Sequence, residues 1–165
     1  MTNEEVEMYY KQAMTFLGQG DFNKSIEFFD NALDIDNQYS PAWNNKGVAL
    51  LNLKSYKEAL NCFEKVISLN AKDNMVLYNK AYVLLILEEY DLSVQAFDLF
   101  LKRYSKKDDF YKFALYLQAK GFYNLKEYQK ATELLKKALK KDKNFEEGKE
   151  LLKLVLKKIK PLPFQ

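Results

Sequence analysis

The stretch that decides the fold is SPAWNNKGVALLNLKSYKEALNCFEKVISLNAKD, residues 40–73. Laid over the rest of the chain, it recurs with a period of 34 residues at 6–39 and 74–107, and again, after an offset of four residues, at 112–145. A fixed period of this length is the signature of a repeat architecture. We therefore divide the chain into four repeats and number the places within each repeat from 1 to 34.

Four places carry the same kind of side chain in every repeat. Place 8 is always small, with Ala13, Gly47, Ala81 and Ala119, and so is place 20, with Ser25, Ala59, Ser93 and Ala131. Place 17 is aromatic, with Phe22, Tyr56, Tyr90 and Tyr128, and place 24 is large and apolar, with Phe29, Phe63, Phe97 and Leu135. Helix axes pack about 8–10 Å apart, and the closer distances need small residues at the crossing. We therefore expect places 8 and 20 at helix crossings.

Each repeat predicts two helices. The first half of residues 40–73 has apolar or small residues at i, i+4, i+7 and i+8, namely Trp43, Gly47, Leu50 and Leu51, and the second half has a similar pattern. Asp21 has the chemistry of an N-cap for the second helix of the first repeat. Ser55 and Glu58 have the spacing of a capping box. Helices of about 14 residues are marginal alone, so each pair depends on burial against its neighbours.

These residues resemble the tetratricopeptide repeat (TPR) family. AWNNKGVAL…YKEALNCFEKVISL in residues 40–73 is similar to the family's W-x₂-x-G and Y-x-x-A motifs. The resemblance implies an all-α fold, an α-solenoid with right-handed superhelical winding, built from four TPR helix-turn-helix repeats. Residues 146–160, EEGKELLKLVLKKIK, predict a C-terminal capping helix with one apolar face, and we expect residues 161–165 to be a flexible tail. The whole chain, residues 1–165, is then a single TPR domain.

The resemblance also implies where a ligand would bind. In TPR proteins the first helix of each pair lines a concave groove, and its places 2, 5, 6, 9 and 12 point inward. Transferred to this chain, the main groove candidates are Tyr10, Met14, Asn44, Asn45, Val48, Tyr78, Asn79, Tyr82, Phe113, Tyr116 and Lys120. Aromatic side chains provide large contact area, and side-chain amides each offer a donor and an acceptor to a peptide backbone.

Three departures from the family pattern have structural consequences. Place 7, usually Leu in the family, is polar in every repeat: Gln12, Lys46, Lys80 and Gln118. Phe100 occupies a place that is usually small, and the four-residue offset falls within residues 104–111. We therefore expect an extended helix or an irregular turn at the offset, and a fourth repeat that is rotated from ideal stacking.

The composition argues against catalysis and metal binding. The chain has no histidine, the residue best suited to acid–base catalysis at neutral pH, and its single cysteine, Cys62, allows neither an internal disulfide nor a cysteine cluster. No phosphate-binding glycine loop is present. We expect no enzyme activity, no cofactor and no metal site.

The N-terminal sequence MTNEEVEMYY lacks the apolar segment of a signal peptide, and no run of 18 apolar residues exists. We therefore expect a cytoplasmic protein without membrane association.

The leading functional hypothesis is a non-catalytic adaptor that binds a peptide or helix of an unidentified partner protein in the groove. Two alternatives stay open. The terminal helix or the tail could dock on another copy, which makes the chain a self-associating homo-oligomer. The C-terminal third is basic, since the charge is −5 through Ser105 and +8 from Lys106 onward, so it could bind nucleic acid or another acidic surface. Nucleic acid is disfavoured because Arg103 is the only arginine.

Overall fold

A computed structural model describes residues 3–70 and 72–159, and within these ranges the chain forms nine α-helices and no strand. In chain order they are α1 (Asn3–Gln19), α2 (Phe22–Ile35), α3 (Ser40–Asn52), α4 (Tyr56–Leu69), α5 (Asn74–Ile86), α6 (Tyr90–Arg103), α7 (Asp109–Asn124), α8 (Tyr128–Lys141) and α9 (Glu146–Ile159). The predicted all-α class, with four helical pairs followed by one further helix, is confirmed. Lys160 and the predicted tail lie outside the described residues.

The aromatic residues at place 17 mark the start of every second helix. Each of α2, α4, α6 and α8 begins at its own place-17 residue: Phe22, Tyr56, Tyr90 and Tyr128. α1 packs against α2, α3 against α4, and α7 against α8, as expected for helical hairpins. The 34-residue period therefore located the helix pairs correctly.

The turn inside each repeat contains one residue with positive φ at place 15. These residues are Gly20 (78°), Lys54 (62°), Glu88 (64°) and Lys126 (63°). In the second repeat the N–H of Lys54 donates to the carbonyl of Leu51 at 3.1 Å, and the N–H of Ser55 donates to that of Leu50 at 2.9 Å. This pair of bonds is a Schellman motif, and the other three turns repeat it.

The small residues at places 8 and 20 are buried in all four repeats, as predicted. Ser25 Oγ donates a hydrogen bond to the carbonyl of Ala13 at 3.0 Å, which joins place 20 of α2 to place 8 of α1. In the second repeat, a Cβ on Gly47 would lie 2.7 Å from Cε1 of the fully buried Phe63. The two helices of a repeat therefore touch at these places, and place 24 fills the space beside the contact.

One of the two predicted caps forms. Asp21 accepts a hydrogen bond from the N–H of Lys24 at 3.2 Å and caps α2, as predicted. Ser55 lies at the N-cap of α4 but makes no side-chain cap bond. The capping box predicted for Ser55 and Glu58 is therefore wrong. The physical reason is the preceding turn, because the N–H of Ser55 that Glu58 would accept is already donated to Leu50.

The four-residue offset is an irregular segment between α6 and α7, with α7 extended at its start, as expected. Tyr104 stacks on Phe100 with ring centroids 4.7 Å apart, and its hydroxyl donates to Asp108 Oδ2 at 2.7 Å. Asp108 in turn caps α7 by accepting from the N–H of Tyr111 at 3.3 Å. Phe100 is fully buried, so the large residue at this place anchors the segment.

The chain forms two compact units, Met1–Val83 and Leu84–Gln165. The core of the first unit includes Val6, Ala13, Phe29, Ala32, Leu33 and Ala42. The second unit has cores that include Ala119, Ala131, Leu135, Leu151 and Val155, and Leu115, Ala138 and Phe145. A single domain over residues 1–165 stays a prediction.

α9 packs against α8 through part of its apolar face. Leu151 and Val155 are buried in the core of the second unit, beside Ala119 and Leu135. Leu156 and Ile159, which follow on the apolar face of α9, are 40% and 38% exposed. α8 is the main helix packed against α9, and it covers the predicted apolar face only in part.

Candidate protein-binding surface

In the first unit, the predicted groove positions lie on α1, α3 and α5, and none of them is fully buried. We call them the first-helix surface: Tyr10, Met14, Asn44, Asn45, Val48, Tyr78, Asn79 and Tyr82. Met14 is 38% exposed, and the other seven side chains are half-buried. Half-buried aromatic and amide side chains retain surface that a ligand can cover, while their buried parts hold them in place.

A hydrogen bond joins two of the predicted residues across helices. Asn45 Nδ2 donates to Tyr10 Oη at 2.9 Å and to the carbonyl of Pro41 at 3.1 Å. These two bonds use both amide hydrogens, so Asn45 does not offer the free donor that the sequence analysis expected. Its carbonyl oxygen is the group that can accept a ligand N–H. The tyrosine hydroxyl hydrogen is not used in the bond between the two residues.

The neighbouring Asn44 holds an unfilled acceptor. Its Oδ1 is buried and has no hydrogen-bond partner among the described residues. A buried acceptor without a partner costs about 1–3 kcal/mol. Asn45 therefore presents a carbonyl oxygen rather than a donor, whereas the Asn44 oxygen is enclosed by the protein.

Packing inside the first unit fixes Tyr10. Its ring lies 5.9 Å from that of Phe29 and 5.3 Å, edge-on, from that of Tyr39. The hydroxyl of Tyr39 donates to Glu7 Oε1 at 2.7 Å. Burial raises the pKa of both tyrosines, and the bond to Glu7 raises that of Tyr39 further. Both hydroxyls are therefore neutral hydrogen-bonding groups at physiological pH.

Tyr78 and Tyr82 are neighbours on α5. Burial raises the pKa of Tyr78, and the nearby Tyr82 raises it further. Their spacing of four residues places both rings on one side of the helix. The structure thus brings together Tyr10 with Asn45, and Tyr78 with Tyr82, as two separate pairs of predicted residues.

In the second unit, the predicted residues lie on α7 around a ring that the sequence analysis missed. Phe113 and Tyr116 both contact Phe145 edge-on, each with ring centroids 5.3 Å apart. Phe113 is 38% exposed, while Phe145 is buried. Lys120 is exposed on the same helix. Burial raises the pKa of Tyr116, and the charges of Glu147 and Glu150 raise it further.

Lys112 neighbours Phe113 but is a buried structural residue. Its ammonium lies 2.9 Å from Asp142 Oδ2 and 3.0 Å from Asp109 Oδ1, and about 5 Å from the rings of Phe113 and Phe145. The bond to Lys112 lowers the pKa of Asp142. This network positions the aromatic residues of α7 and is not free to bind a ligand.

The polar residues at place 7 connect each repeat to the one before it. Lys46 Nζ contacts Asp30 of α2 at 2.5 Å, and Lys80 Nζ contacts Glu64 of α4 at 2.8 Å. In the second unit, Gln118 Nε2 donates to the carbonyl of Val94 at 3.0 Å. The polar residues that replace the family's leucine at place 7 therefore form polar contacts between repeats. For the two lysines, an acidic residue 16 positions earlier in the sequence could have indicated the contact.

Residues 3–70 and 72–159 contain no group of three or more side chains able to hold a metal ion. Cys62 is buried, and burial raises the pKa of its thiol to about 11, so the thiol is protonated and unreactive at neutral pH. In the described part of the chain, no helix is both long and apolar enough to cross a membrane.

Comparison with known proteins matches three stretches of the chain to family models. Residues 6–39 and 40–73 each match a family model described as tetratricopeptide repeat, and residues 113–161 match one described as Fis1 C-terminal tetratricopeptide repeat. An uncharacterised protein of Methanocaldococcus jannaschii is 38% identical over 60 residues, which are 36% of this chain and 70% of that protein.

Solved structures share the fold at low sequence identity. MamA 41-end from Desulfovibrio magneticus RS-1 superposes with a TM-score of 0.83 at 20% identity, over 96% of this chain and 93% of that one. The Arabidopsis OM64 TPR domain superposes with a TM-score of 0.65 at 22% identity, over 72% of this chain and 94% of that one. At such identities the likeness is one of fold.

Proposed function

We propose, because the chain belongs to the tetratricopeptide repeat family, that it is a non-catalytic scaffold whose first-helix surface binds a peptide or helix of a partner protein. The observation that supports this most directly is the contrast within each first helix. Place 8 is fully buried in every repeat, whereas places 5, 6 and 9 of the first unit all keep accessible aromatic, amide or aliphatic surface. A set of accessible residues at fixed helical places is what a ligand lying across the helices would contact.

The chemistry of the first-helix surface favours a ligand with free backbone N–H groups. Both amide hydrogens of Asn45 are already donated, one to the Tyr10 hydroxyl and one to the Pro41 carbonyl. The buried Asn44 Oδ1 has no partner among the described residues. The accessible polar group of Asn45 is therefore its carbonyl oxygen, an acceptor. An extended peptide, or the N-terminal turn of a helix, supplies unpaired N–H groups to such an acceptor. Affinity then comes from covering Tyr78 and Tyr82 with apolar side chains.

α7 provides a second contact region of the same kind. Phe113, with 38% of its side chain exposed, rests on the buried Phe145, and Lys120 adds one positive charge. We propose that this region binds an apolar or acidic part of the same class of ligand.

The cytoplasmic setting stays a prediction, which cell fractionation followed by immunoblotting would test.

A charge placed on the first-helix surface tests the proposal. Met14→Lys should abolish recovery of the protein that co-purifies with the tagged wild-type chain, since a buried ammonium at the contact costs several kcal/mol. Leu53→Lys is the matched control, because Leu53 is also 38% exposed in the first unit but lies in a turn away from that surface. Equal recovery with both variants, at equal helicity by circular dichroism, would show that the ligand binds elsewhere.

A further inference from the structure

α9 carries an apolar strip that the fold leaves open. Leu152 is half-buried, while Leu156 and Ile159 are 40% and 38% exposed, and the three follow one another at i, i+4 and i+7. Leu152 and Leu156, together with Leu139 of α8, line a cavity of about 440 Å³. An apolar cavity on a helix surface is favourable to cover, since burying its walls removes them from water.

Lysines form the rim of this cavity. Lys149, Lys153 and Lys157 complete its lining and are spaced one helical turn apart. Lys149 is paired with Glu146 at 2.7 Å, whereas Lys153 and Lys157 have no ion pair among the described residues. Two α9 helices facing each other would therefore bring like charges together over the apolar strip. The occupant of the cavity has to combine an apolar side chain with negative charge.

α1 has this combination of side chains. Met8 is 45% exposed. Glu4, one turn before it, and the adjacent Glu7 line the same depression, which also includes Asn3 and Lys11. Glu5 adds a further exposed carboxylate in the first turn. The hydroxyl of Tyr39 holds the Glu7 carboxylate in place. Methionine is unbranched and flexible, which suits it to filling an irregular apolar cavity.

We infer that α1 of a second copy of this chain docks on the α9 cavity, with Met8 between Leu152 and Leu156 and its glutamates against Lys153 and Lys157. The contact joins two different surfaces, so each copy keeps one open end and association continues beyond a dimer unless it closes into a ring. The docking residues Met8, Glu4 and Glu5 precede Tyr10 and Met14 of the first-helix surface on the same helix. The contact is small and partly ionic, so it is weak and sensitive to salt.

Sedimentation velocity on the full chain tests this inference. At low salt the average mass should rise continuously with concentration from about 10 µM to about 1 mM, as expected for a weak interface. Raising the salt from about 0.05 to about 0.5 M should lower the association constant at least about tenfold. Lys153→Glu with Lys157→Glu should give a monomer, and so should Glu4→Lys with Glu5→Lys. An equimolar mixture of these two variants should associate again, since their reversed charges are complementary.

Lys57→Glu with Lys72→Glu is the matched control for the lysine reversal, because it makes the same change in net charge at exposed residues that belong to neither surface. It should associate like the wild type. All the substituted residues are exposed, and circular dichroism checks that each variant keeps its helicity. A wild-type chain that stays monomeric at about 1 mM and low salt, a mixture that stays monomeric, or association that survives both charge reversals would overturn the inference.

Discussion

Gly47 offers a direct test of the packing that the repeats depend on. A methyl group at this position would lie 2.7 Å from Phe63 Cε1, 3.0 Å from Cζ and 3.1 Å from Cδ1. Favourable carbon contacts begin near ~3.5 Å, so the fully buried ring would have to move by about 0.8 Å. Overpacking of this kind costs about 1–3 kcal/mol, and the higher helix propensity of alanine returns about 1 kcal/mol. Gly47→Ala should therefore lower the free energy of unfolding by about 1 kcal/mol.

Gly18→Ala is the matched control for helix propensity. Gly18 lies in α1, and a Cβ there would meet no atom within 4 Å. This variant should be about 0.5 kcal/mol more stable than the wild type. Urea denaturation followed by far-ultraviolet circular dichroism measures the change in the free energy of unfolding for both variants.

A double-mutant cycle assigns the cost to Phe63. Phe63→Leu removes ring atoms near Gly47, so the double variant should be about 1 kcal/mol more stable than the sum of the two single changes. If Gly47→Ala stabilises the chain as much as Gly18→Ala does, or if the cycle gives no coupling energy, the close contact between α3 and α4 is not what the geometry indicates.

Two further predictions concern the turns and the buried lysine. Lys54→Gly should stabilise the chain by about 0.5 kcal/mol, since positive φ costs a non-glycine residue about 1–2 kcal/mol and the unfolded-state entropy of glycine offsets about half of that. Gly20→Ala should destabilise the chain by about 1 kcal/mol through backbone strain alone, since an added Cβ there would meet no atom within 4 Å. Equal urea midpoints for the wild type, Lys54→Gly and Gly20→Ala would contradict both expectations. Lys112 lowers the pKa of Asp142, so the pair stabilises the fold above the ordinary pKa of 3.8, and this contribution is lost as the pH falls through the lowered folded-state pKa. Asp142→Asn should therefore lose less stability than the wild type on acidification below 3.8, as an acid titration by circular dichroism would measure.

The periodic residues allowed the helical pairs and their crossings to be predicted from sequence. Small residues at places 8 and 20 have one physical role, which is close approach of two helices, and Ala13 with Ser25 performs it as expected. The turns were harder to predict. Lys54 adopts the same positive φ as Gly20, but a lysine carries no local signal for that conformation. The hydrogen bonds of the Schellman motif impose it instead.

The candidate surface was predicted in position but not in chemistry. The sequence placed Tyr10 and Asn45 on one surface, and they lie together. It did not predict that they bond to each other, because that bond depends on the spacing between α1 and α3. Phe145 escaped notice for a similar reason, since its role under Phe113 depends on a contact between α7 and the turn that precedes α9. Residue type and helical place predicted which side chains are accessible, but not which side chains they contact.

Site-specific photocrosslinking tests most directly whether the partner protein binds at the first-helix surface. A photoreactive amino acid at Val48, a half-buried place-9 residue of α3, should form a covalent adduct with the bound partner protein in cells. The same amino acid at Asn61, an exposed residue of the second helix α4, should not. Adducts from Asn61 and none from Val48 would place the partner on the opposite helices and contradict binding at the first-helix surface.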